Sequence, residues 1–127
     1  MIDLSTLADR AEALLRASDA IHRPLGVGAT VTRHQTASGG ELAVATRTRP
    51  SDEVAISLSF EFFSTLNGVR CVAVISDDDG RLVASLGDFS LEDPRVIEPW
   101  LAATVEIGWS ILAESTDPRV PTAPRKD

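Results

Sequence analysis

The chain has 127 residues, 43% hydrophobic and 24% charged, with a net charge of −7. That is enough for one globular domain with its own core. Lys126 is the single lysine and the arginines never cluster, so the basic face needed to bind nucleic acid or an anionic membrane is missing.

Residues 3–22 read as a helix, because Leu4, Leu7, Ala8, Ala11, Leu14, Leu15 and Ile21 recur at three-four spacing. Asp3 or Ser5 can cap its start. Pro24 forbids its continuation. Asp3 and Asp9 make this start unlike a secretory leader, and no stretch approaches the length of a membrane span. Cys71 is the lone cysteine, so no intramolecular disulfide is possible. High alanine and arginine with little lysine suggests a bacterial source, and the cytoplasm is the expected location.

Strands follow. Residues 25–34 and 41–47 alternate with period two, separated by the loop 35–40. A turn is expected at Pro50 and Ser51. In 53–63, Val54, Ile56, Leu58, Phe60 and Phe62 point one way, and Ala55, Ser57, Ser59 and Glu61 the other. Asn67-Gly68 is a hairpin signal. It places Phe62 opposite Ala73 and Phe60 opposite Ile75. Asp79-Gly80 closes the next hairpin between 69–76 and 81–87, placing Ile75 opposite Ala84 and Ala73 opposite Leu86. A helix over 52–66 is the competing assignment, giving α-β-β-α-β-β-α order.

Asp93 or Ser90 caps a short opening turn with Pro94, and a main helix runs from about Pro99 to Glu114 after a break. Its inner face is Ile97, Trp100, Leu101, Thr104, Val105, Gly108, Ile111 and Leu112. Trp109 lies roughly 120° from the centre of that face at 100° per residue, so partial exposure is expected. Residues 1–115 are expected to form the domain, and the proline-bearing 116–127 a disordered tail.

The fold expected is α+β: a five-stranded antiparallel meander with N- and C-terminal helices packed on one face. The covered face would carry Val27, Val44, Ile56, Phe60 and Ile75. The open face would carry Val72, Val74 and Val83 beside Ala43, Ala45, Ala55, Ser57 and Ser59.

Site chemistry is sparse. Cys71 falls on a buried strand face, where a free thiol is inert packing. Asp77, Asp78 and Asp79 precede Gly80, but a calcium loop in that frame would put ligands at Ile75 and Leu86, which cannot bind; no metal and no cofactor is expected. Gly26-x-Gly28 and Gly39-Gly40 lack the rest of a phosphate cradle, and Gly28 suits a close approach by the first helix. His22 and Arg23 suit a helix C-terminus, and His34 a strand end on the surface. Glu61 is a possible general base with no visible acid partner. No catalytic residue is assigned.

The stretch GVRCVAVISDDDGRLVASLGD (residues 68–88), followed by an amphipathic helix, resembles the strand-turn-strand-helix end of roadblock-type domains and of the secretion-chaperone-like fold. Either resemblance implies a helix at 52–66. Small acidic immunity proteins share the size and charge without a motif.

The expected function is that of a non-enzymatic protein-binding module, similar to an immunity protein, secretion chaperone or regulator. Val72, Val74, Val83 and Trp109 are its candidate contacts. The partner is another protein or a second copy in a homodimer. The alternative is a small-ligand-binding or hydrolase-like enzyme with a pocket between sheet and helix, where Cys71 and Thr104 are the inner-face polar groups.

Overall fold

The computed structural model describes residues 3–48, 53–66, 68–91 and 96–114. The expected turn at Pro50 and Ser51, residue Asn67, the opening turn at Asp93 and Pro94, and the tail 116–127 lie outside the described residues.

Helix α1 (Leu4–His22) starts where the Asp3 carboxylate accepts the N–H of Ser5 at 3.0 Å. It buries Leu7, Ala8, Ala11, Leu15 and Ser18, the stripe its spacing predicts. Pro24 stops it in a 3-10 turn (Arg23–Leu25), and the chain leaves through Gly26 at φ 84°, a backbone that glycine adopts without steric cost. At Gly28 an added Cβ would lie 3.1 Å from the Asp19 and Arg23 side chains. Asp19 accepts the N–H of Ala29, and Arg23 donates to its carbonyl. The end of α1 is thereby tied to the segment that enters the sheet.

Five strands follow: β1 (Thr30–Gln35), β2 (Glu41–Thr48), β3 (Ala55–Thr65), β4 (Gly68–Ser76) and β5 (Leu82–Leu91). They form one antiparallel meander in the order 1-2-3-4-5. Residues 55–65 are strand, so the α-β-β-α-β-β-α order implied by the two resemblances is not this fold. One row of the sheet shows which face is covered. Arg33, Ala43, Phe60, Ala73 and Gly87 lie side by side across the strands. Arg33 bonds to Asp9 and Glu12 of α1.

At the other end of this row stands helix α2 (Ile97–Glu114). Its Trp100 meets Phe60 edge to face and fills the space above Gly87. Both helices therefore lie on one face. Pro99 falls in the first turn of α2, where a missing N–H breaks no helical bond; the expected break is absent from 97–114. Arg10 pairs with Glu98 near the helix starts. His22 stacks on Trp109, with ring centroids 5.8 Å apart, near their ends. The two helices thus run side by side in parallel.

Three expectations about facing and register are corrected. In β2, Ala43 and Ala45 point to the core and are fully buried, while Leu42 and Val44 face away. Ala43 lies opposite Phe60 and Ala45 opposite Leu58, so small residues beside large ones let α1 approach the sheet. In the β3–β4 hairpin, Thr65 pairs with Gly68 and Phe62 with Cys71, a two-residue shift from the expected register. An even shift keeps each side chain on its face, so the buried set survives. Along β5, two irregularities leave Leu86 and Val83 without partners and place Gly87, not Leu86, opposite Ala73.

Candidate functional site: the open face of the sheet

The helix-free face is defined by the residues opposite one another in the ladders. One row reads Thr32, Val44, Ser59, Val74 and Ser85 from β1 to β5. The next reads His34, Leu42, Glu61, Val72 and Asp88. Val72 and Val74 stand where the alternation placed them, both partly exposed. Their apolar companions are Leu42 and Val44, which the sequence reading assigned to the core or passed over. Val83 is corrected: it sits in the bulge near the β4–β5 turn, 49% exposed, and does not stand beside Val74.

Trp109 is also corrected. It is 1% exposed, and its indole N–H donates to the Val27 carbonyl at 2.9 Å. The helical wheel counted only the sheet as a burying surface. The parallel neighbour α1 covers the flank of α2 that carries Trp109, and His22 closes over it.

Charged groups on or beside this face are few. Arg70 makes a two-pronged pair with Asp88 at 2.7 and 2.8 Å, which holds the Asp88 carboxyl below its usual range, and lies over the Phe63 ring. His34 Nε2 is 3.0 Å from the Thr32 hydroxyl. Glu61, on the central strand between Leu42 and Val72, has no ion pair or hydrogen bond among the described residues.

Chemistry elsewhere is accounted for by structure. Cys71 is fully buried, and burial pushes its thiol up to about 12. Thr104 is buried in α2. The Asp77, Asp78 and Asp79 oxygens lie within 4.8 Å of one another, but Asp77 Oδ1 accepts the N–H groups of Asp79 and Arg81, the bonding of an Asx turn. Arg47 donates to the Gly28 carbonyl at 3.1 Å, and its Nε is buried without a partner among the described residues.

Surface concavities among the described residues include the following two. An apolar groove of about 440 Å³ lies between the helix starts, lined by Leu7, Arg10, Ala13 and Ile97. A hollow of about 330 Å³ at the β1 edge is lined by Glu12, Arg33, His34 and Glu41. Neither contains Cys71 or Thr104, the polar groups that the enzyme alternative relied on.

No family of proteins, no curated protein and no solved structure matches this chain.

Proposed function

We propose that this chain is a non-enzymatic protein-binding module that docks its partner on the open face of the sheet. The carrying observation is that Leu42, Val44, Val72 and Val74 lie together on two strands flanking β3, on the face opposite both helices. They form two short apolar stripes, one on each side of Ser59 and Glu61 of β3, and partly exposed apolar side chains grouped on one sheet face suit an interaction surface better than scattered ones do. Ser59 between Val44 and Val74 lets another polypeptide approach closely, and Glu61 between Leu42 and Val72 offers it a carboxylate. A buried, unpaired Cys71 suits a reducing compartment, and a bacterial cytoplasm is the proposed setting.

A photo-crosslinking residue in place of Ser59, expressed in the native host, tests the reading. A discrete crosslinked product is expected from position 59 and none from Ala103, which is exposed on α2. Equal or absent crosslinking at both positions would sink the proposal.

A further inference from the structure

We infer that the outer edge of β5 accepts an extended segment of another polypeptide as a sixth strand, seated beside the outer flank of α2. This site is separate from the open face and does not depend on it. It follows from how differently the two edges of the sheet are finished.

At the β1 edge, side chains of α1 occupy outward main-chain groups. Arg16 donates to the Val31 carbonyl at 3.3 Å, Arg23 donates to the Ala29 carbonyl at 2.9 Å, and Asp19 accepts the Ala29 N–H at 2.8 Å. Val31 therefore turns away from β2. In an antiparallel sheet one residue turns both its main-chain groups to one neighbour, and the next residue turns both to the other. Carried through the four registers, this alternation makes Gly87, Phe89 and Leu91 bond to β4, and turns the N–H and C=O of Asp88 and Ser90 outward. No described residue bonds to these outward groups. Free charges and bulges are what keep a sheet edge from pairing. The two irregularities of β5 lie between Leu82 and Gly87 and leave 87–91 in regular pairing. The one charge on β5, Asp88, is held by Arg70.

The helix beside this edge adds an apolar flank. Trp100, partly exposed, stands over Gly87 and so marks the side of α2 that faces β5. Val96, four residues before it, and Ile107, seven after, share that side by helical spacing and are 53% and 55% exposed. A strand laid on β5 alternates its side chains between the two faces. The side chain opposite Gly87 falls on the helix side, next to the Trp100 ring, so an apolar residue fits there. Main-chain groups in a row select an extended segment with its own N–H groups free. The end of this chain is a poor candidate, because Pro118, Pro121 and Pro124 lack the N–H that a ladder needs. A second copy fits less well than a separate segment. In a two-fold pairing of 87–91 with itself, the irregular residues 82–86 of one copy would run against the connection that follows β5 in the other. Each copy would also bring a net charge of −7.

A phage library of random linear peptides, panned on the immobilised full chain, tests the site. The enriched peptides should share a proline-free run with apolar residues at alternate positions. The leading peptide, dye-labelled, is then followed by fluorescence anisotropy. Methylating its backbone nitrogens one at a time should weaken binding about tenfold at every second position of the run, and by less than about threefold between them. Ser90→Pro removes one outward donor while leaving the β4 ladder intact. With its fold checked by circular dichroism, it should weaken the peptide by about tenfold. Val74→Lys, on the open face, should leave the affinity within about twofold of wild type. The methylation pattern together with Val74→Lys decides the matter even if Ser90→Pro does not fold. No enrichment overturns the inference, and so does a peptide without the alternating pattern. Binding that survives in folded Ser90→Pro and is lost in Val74→Lys moves the peptide to the open face and overturns it too. Sedimentation equilibrium covers the remaining occupant. A wild-type chain that dimerises, and a folded Ser90→Pro that does not, would make the sixth strand a second copy and overturn the separate partner.

Discussion

Trp109 shows how much a single side chain depends on what packs beside it. Its ring lies between the Val27 carbonyl and His22. Trp109→Phe keeps an aromatic ring but leaves that carbonyl without its donor and opens a void. Urea unfolding should report a loss of about 2 kcal/mol. In a Trp100→Phe background the remaining tryptophan should resist acrylamide quenching; quenching at the level of a free indole would contradict its burial. Gly108 makes the opposite point. A Cβ there would lie 2.6 Å from a Leu58 methyl carbon in the core. Gly108→Ala should therefore destabilise by about 1–3 kcal/mol through overpacking, although alanine favours helix by about 1 kcal/mol on an exposed surface. A more stable variant would show that α2 can lift from β3 freely. Cys71 should be inert to thiol reagents in the folded protein and react fully once denatured.

At the level of elements, Arg33 fastens α1 to the β1–β2 hairpin. Its guanidinium reaches Asp9 at 2.6 Å, Glu12 at 3.1 Å and Glu41 at 3.0 Å. Arg16 first and then Arg33 hold Glu12 below its ordinary 4.5. Gln35 first and then Arg33 do the same for Glu41. A carboxyl whose pKa is lower in the folded chain binds its proton more weakly there than in the unfolded chain. Its stabilisation is present above about 4.5 and is lost as pH falls through the folded value. Thermal melts of wild type and Arg33→Gln should differ by several degrees at neutral pH. The two curves should converge in acid, below the range of these carboxylates. A constant gap down to the lowest pH would assign the arginine a packing role instead.

Across the whole molecule, contacts between sequence neighbours build the sheet, whereas the core closes only when the two ends of the chain meet. Leu101, Val105, Trp109 and Leu112 of α2 are all buried, worth on the order of 10 kcal/mol together. That is comparable to the entire stability of a domain of this size. A chain ending before Val96 should therefore lack a cooperative melting transition and bind a hydrophobic dye on the exposed inner face. Cooperative folding of that fragment would mean that α1 and the sheet form a sufficient core. Docking of both helices on one side leaves the other face of the sheet without a helix among the described residues.

Alternation favoured a strand at 53–63 over the competing helix at 52–66, a choice that only the structure settled; it determined that Phe60, Cys71 and Ile75 share a face, and that Val72 and Val74 share the other. The period-two geometry of a strand is local and survives a two-residue error in register. Helix periodicity likewise marked the inner stripe of α1 and most of that of α2. Only the tertiary structure decided the facing of β2, where hydrophobicity favours Val44 inward and close helix approach requires Ala43 and Ala45. The bulges that displace Val83 and pair Ala73 with Gly87 were equally illegible, because they answer to the pairing of whole strands. The same holds for Trp109, buried by α1, a segment some ninety residues earlier in the chain. A wheel drawn on one helix contains no information about the helix beside it.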